Sequence, residues 1–78
     1  MQDVYLIVSN TEVRSNVSVC TKEYAIEHFN LMCSLKPGSW IKEVCSSNFN
    51  VKFYELDENG IKHFKEHLYI EKRYICGS

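Results

Sequence analysis

The stretch Val51-Lys52-Phe53-Tyr54-Glu55-Leu56-Asp57-Glu58-Asn59-Gly60-Ile61-Lys62-His63-Phe64-Lys65-Glu66-His67-Leu68 decides the fold. At its centre Asn59-Gly60 sits between β-prone flanks, the strongest short hairpin signal, because both central residues of a two-residue type I′ turn need positive φ. Pairing about that dipeptide places Val51 opposite Leu68 and Asp57 opposite Lys62, a chemically sensible register. A helix beginning at Ile61 competes with this reading. It would align Ile61, Phe64 and Leu68 on one stripe and set Lys62 four residues before Glu66. The strand is preferred, and residues 69–76 alternate loosely enough to extend it.

Working outward, Phe49–Leu56 reads as the strand leading into this hairpin and Trp40–Cys45 as the one before it. Lys36-Pro37-Gly38-Ser39 suits a type II turn with Pro at its second position and Gly at its third. Before that turn, Ala25, Ile26, Phe29, Met32 and Cys33 form an amphipathic helical stripe, with Thr21 as N-cap and Glu23 in the first turn. At the other end of the chain, Val4-Tyr5-Leu6-Ile7-Val8 is apolar on both alternating faces. That pattern marks a central strand covered on two sides, or on one side by a partner. Ser9-Asn10-Thr11 supplies a turn, and Val13, Val17 and Val19 then alternate with Arg14, Asn16 and Ser18. The expected fold is α+β: a four- or five-stranded, mostly antiparallel sheet with one helix over about 21–34 on one face. The element order is β-β-α-β-β followed by a strand or a helix, all in one domain spanning residues 1–78.

Composition narrows the function. The chain has 78 residues, near the lower limit for a self-sufficient core; such domains bury only about 60% of their unfolded surface. The formal net charge of −1 argues against a general polyanion binder. The longest apolar run, Val4–Val8, has five residues, far short of the roughly 20 that span a bilayer. No basic flank makes it a signal peptide. Asn16-Val17-Ser18 matches a glycosylation acceptor, which carries no weight without an export signal.

The four cysteines, Cys20, Cys33, Cys45 and Cys76, are separated by at least eleven residues. No Cys-x-x-Cys clamp or redox dithiol results, and the expectation is free thiols in a reducing cytoplasm. His63 and His67 have metal-ligand spacing only on a helix; on a strand, four residues separate them by about 13 Å. No metal or other cofactor is therefore expected. Gly-rich elbows, phosphate loops and paired catalytic carboxylates are missing, so the chain reads as non-enzymatic.

What remains is a recognition surface. The hairpin register puts Lys52 beside His67, Tyr54 beside Lys65, and Leu56 beside His63 on one face. Glu55 and Glu66 fall on the other face with Phe53 and Phe64, which is awkward for a dry core. The expected contact residues are Lys52, Tyr54, Leu56, His63, Lys65 and His67. Tyr54 would anchor in an acidic protein patch, or stack on a base while the cations meet phosphates. Trp40, Phe49, Tyr69 and Tyr74 add aromatic area beyond what one helix over a sheet needs. Together with an exposed edge they invite homodimerisation or strand addition by a partner.

In its length and its Asn, Lys, Ile and Tyr content, the chain is similar in style to short reading frames of AT-rich bacteriophage genomes. That similarity implies a stoichiometric inhibitor or regulator that sterically blocks a host enzyme, a nucleoprotein or a defence complex. A small RNA- or DNA-binding regulator using the same Lys, His and Tyr face is the alternative.

Overall fold

The computed structural model describes residues 2–46 and 49–75. Its elements are β1 (Gln2–Asn10), β2 (Ser15–Cys20), α1 (Lys22–Ser34), β3 (Ile41–Ser46), β4 (Asn50–Leu56) and β5 (Lys62–Ile75). The strands form one antiparallel sheet in the order β2-β1-β5-β4-β3. The fold is thus α+β with five strands and a single helix. Residues 62–75 are strand, so the helical alternative from Ile61 does not form.

The strand wins because β5 can pair on both sides. It accepts β1 from Gln2↔Ile75 to Asn10↔His67 and β4 from Asn50↔Tyr69 to Leu56↔Lys62. Leu68, at the crossing of these ladders, is fully buried. Burying such a side chain contributes about 1.5–3 kcal/mol, which helix pairs of a few tenths of a kcal/mol do not match.

The hairpin keeps the expected register at its base and loses it at its tip. Val51 faces Leu68 and Lys52 faces His67, but beyond Phe53↔Glu66 the pairing slips to Tyr54↔Phe64, Glu55↔His63 and Leu56↔Lys62. Lys65 is the extra residue of a β-bulge. The loop grows in compensation: Asp57 N–H donates to Ile61 O (3.0 Å) and Gly60 N–H to Asp57 O (3.0 Å). Only Gly60, at φ 78°, adopts positive φ there. This is a three-residue loop ending in a left-handed glycine, in place of the two-residue turn. The Asp57 carboxylate reinforces it, its Oδ1 accepting from Asn59 N–H (2.8 Å) and Ile61 N–H (3.0 Å).

Other boundaries shift locally. Val13 lies in the β1–β2 turn, 88% exposed, where Thr11 N–H donates to Arg14 O (2.8 Å) and the Thr11 hydroxyl bonds back to the same loop. The turn after α1 runs from Pro37 to Trp40, closed by Trp40 N–H to Pro37 O (3.0 Å), and Gly38 needs no positive φ. Pro37 therefore opens the turn, one place earlier than the expected second position. Thr21 caps α1 as expected, accepting from Tyr24 N–H (3.3 Å).

α1 crosses one face of β1 and β5. Ala25 and Phe29 pack on Ile7, Val51, Phe53 and Leu68, with Tyr5, Cys20, Met32, Cys33, Trp40 and Ile70 around them. Glu66, on this same face, is only 5% exposed. Its Oε2 accepts from the Ser9 hydroxyl (2.6 Å), and its Oε1 meets Lys36 Nζ (2.6 Å). The acid that looked awkward for a dry core is thus satisfied, and it ties the segment after α1 to the sheet.

Candidate interaction surface

Side chains alternate across a strand, so the register sorts them into a helix-covered face and a helix-free face. Tyr5, Ile7 and Ser9 of β1 turn toward α1; Val4, Leu6 and Val8 turn away. Opposite these lie Arg73, Glu71 and Tyr69 of β5 and, on the other side, Val19 and Val17 of β2. Val8 is buried to 5% exposure without joining the core under α1, because Val17 and Tyr69 flank it. The helix-free face thus has a second, thin apolar layer on its β2–β1 side.

Toward the hairpin this face becomes aromatic and polar. Tyr54 and Phe64 meet edge to face with centroids 6.1 Å apart. The bulge at Lys65 makes this possible, since it carries Phe64 onto the face of Tyr54. Lys62 Nζ lies 4.6 Å above the Tyr54 ring and 3.1 Å from Glu43 Oε2 of β3. Farther along, the His67 ring leans on Tyr69 at 4.7 Å, and its Nε2 donates to Asn50 Oδ1 at 2.6 Å. Burial, with repulsion from the Lys52 ammonium second, holds the His67 imidazole below its ordinary value. It is the neutral ring that the surface presents at physiological pH.

Of the six expected contact residues, Lys52, Tyr54 and His67 share this face, and Leu56 lies at its tip, 48% exposed. His63 and Lys65 do not join them. Beyond the bulge His63 pairs with Glu55 in register, on the opposite side, and its Nε2 meets Asp57 Oδ2 at 2.7 Å. Lys65 Nζ is 3.4 Å from Glu55 Oε1. Tyr54 therefore stands beside Phe64, not Lys65, and Leu56 beside Lys62, not His63. The surface is more apolar and less basic than expected. Leu6, Val8, Val17, Val19, Phe64 and Tyr69 belong to it as well; the two-faced apolar run of Val4–Val8 was the sequence signal for the first two, and the alternation of Val17 and Val19 with polar residues for the next two.

The other expected aromatics serve the core side. Trp40 packs near Phe53 (6.2 Å) and Phe49 edge-on to Phe29 (5.4 Å). The side chain of Tyr74, and Cys76, lie outside the described residues. Cys20 and Cys33 are half-buried, and burial raises both thiols above their ordinary value. Cys45 is exposed on β3. No cluster of three or more metal-ligating side chains occurs among the described residues. A cleft of about 460 Å³ at the foot of the sheet is lined by Tyr5, Phe49, Ile70, Glu71 and Lys72. Its lining offers a carboxylate, an ammonium and a phenol, but neither thiol nor imidazole. No helix among the described residues is long and apolar enough to cross a membrane.

No family model matches the chain, and neither a curated protein nor a solved structure matches it.

Proposed function

We propose that this chain is a non-enzymatic protein-binding module, acting in the cytoplasm as a stoichiometric inhibitor or regulator of the kind that blocks a host enzyme or defence complex. The observation that carries this reading is the helix-free face of the sheet. It displays Tyr54, Phe64 and Tyr69 with Lys52 and His67 between them, while all the helical cover lies on the other side. Aromatic anchors with a polar surround are the composition of energetic centres in protein interfaces.

The electrostatics favour protein over nucleic acid as the partner. Lys62 is paired with Glu43 and Arg73 with Glu71 (3.1 Å each), and His67 is held neutral. Among the described residues, Lys52 is then the one cation of the central patch with no carboxylate ion-paired to it, whereas phosphate binding draws on several.

The test places a photo-crosslinking amino acid at Tyr54, exposes the protein to host lysate, and identifies the adduct by mass spectrometry. The recovered partner is then titrated against Tyr54→Ala and Lys52→Glu. Tyr54→Ala should weaken binding by roughly tenfold or more, as expected of a buried aromatic anchor. Lys65→Ala, on the other side of the bulge, should leave binding unchanged. Failure to capture a protein, or a partner indifferent to Tyr54, overturns the proposal. Capture of RNA or DNA with steeply salt-dependent affinity replaces it with the alternative.

A further inference from the structure

The two edges of the sheet are guarded very differently. On β3 the outward edge carries Lys42 and Glu43, and an irregularity between Val44 and Ser46 breaks its line. Charges and bulges of this kind discourage pairing with another strand. The opposite edge, β2, reads Ser15-Asn16-Val17-Ser18-Val19-Cys20. It has no charge, no proline and an unbroken register against β1 from Tyr5↔Cys20 to Asn10↔Ser15. Val17 and Val19 are 57% and 67% exposed. Nothing in its chemistry repels a further strand.

We propose that β2 pairs antiparallel with β2 of a second copy of this chain, joining two sheets into one of ten strands about a two-fold axis at Ser18. The occupant follows from self-complementarity. A two-fold contact must match the edge to itself, with side chains of like facing opposite one another. Centring the axis on Ser18 sets Val17 against the partner's Val19, and Val19 against the partner's Val17, on the helix-free face. Centring it on Val17 would oppose Val19 to Ser15 and leave less apolar area covered. Uncharged β-branched pairs of this kind each contribute a few tenths to about 1 kcal/mol.

The helix flank adds to the contact. Tyr24, His28, Leu31 and Leu35 recur at three- and four-residue spacing, and Tyr24, Leu31 and Leu35 are 55%, 52% and 72% exposed. With 3.6 residues per turn, this stripe lies about 130° round the helix from Phe29, whose ring meets that of Phe49, just before β4, at 5.4 Å. It therefore faces the β2 side of the molecule. Pairing of β2 edges brings two such flanks toward each other above the seam. That supplies the apolar area a strand edge alone lacks against the roughly 800 Å² per partner of a standard interface. The surface around Tyr54 lies toward the opposite end of the sheet, so the dimer would present it twice.

Sedimentation equilibrium from low micromolar to several hundred micromolar protein tests this. The expected mass rises to twice the 9.2 kDa of one chain. Val17→Lys with Val19→Lys should weaken association by roughly tenfold or more, since like charges opposite one another destabilise an antiparallel pair. Circular dichroism and an unfolding midpoint confirm that this variant is folded. Ser18→Cys should form an intermolecular disulfide mapped to position 18, because directly paired Cα atoms lie within about 4.4–6.8 Å. Val44→Lys on β3 and Tyr54→Lys should leave the dimer intact. The proposal is overturned if the wild type stays monomeric throughout, if the folded double-lysine variant associates as the wild type does, or if the position-18 link does not form. Loss of the dimer in Tyr54→Lys would show face-to-face stacking instead, and would also overturn it. None of these readouts depends on the partner sought through Tyr54.

Discussion

Asp57 and His67 make the fold acid-sensitive in two separate ranges. The His67 imidazole is held below its ordinary value of 6.5 by burial and then by Lys52. The unfolded chain therefore takes up this proton first as pH falls, and stability declines from about pH 6.5 downward through the lowered folded value. Asp57 is held below its ordinary 3.8, chiefly by its hydrogen bond with His63 and then by the Ile61 amide. Its contribution is complete above that ordinary value and disappears as pH falls through the lowered one. Urea unfolding should show a less stable wild type at about pH 5 than at about pH 7.5, and His67→Gln should flatten that difference. Equal pH dependence in variant and wild type would remove His67 as the cause. Neither effect is readable in the sequence. Histidine at position 67 looks like a cation there, and only its burial in the fold, with Lys52 beside it, favours the neutral ring.

Among the elements, strand identity was legible and hairpin geometry was not. The alternation of Val51, Phe53, Leu68 and Ile70 dictates a strand pair, and Asn59-Gly60 dictates where it reverses. The bulge at Lys65 has no local signature. It exchanges one residue between ladder and loop, leaving Phe53↔Glu66 in the expected register while turning Phe64 out toward Tyr54. Two of the six expected contact residues, His63 and Lys65, were misplaced for that single reason. The fate of Glu66 was equally hidden, since its partners Ser9 and Lys36 lie 57 and 30 positions away. Their linkage can be measured. Lys36 is partly solvated, so Lys36→Met should cost about 1–3 kcal/mol in urea unfolding, below the loss typical of a fully buried pair. Combining it with Glu66→Leu should cost less than the sum of the two single changes, because the double variant leaves no unpaired buried charge. Strict additivity would mean that the ion pair contributes nothing of its own.

At the scale of the molecule, one helix serves five strands, and the shape records it. The radius of gyration is 14.3 Å and the extents are 55 × 22 × 18 Å, against about 11.5 Å expected for a compact chain of this length. Protection from hydrogen exchange should follow the same asymmetry. Amides of β1, β5 and the base of β4 lie in doubly paired ladders around Leu68 and should exchange slowest; those of the hairpin tip should exchange fastest. β2 is the discriminating strand. Successive amides of a strand point to alternate edges, so pairing with β1 protects only every second one. In a monomer, the outward amides among Ser15–Cys20 should exchange nearly as fast as those of the tip. In a dimer joined at Ser18 both sets become slow, and the outward set alone recovers fast exchange on dilution or on introducing Val17→Lys with Val19→Lys. A β2 strand whose outward amides exchange fast at every concentration would show an edge open to solvent. The absence of charge from Ser15 to Cys20 would then have no role in self-association.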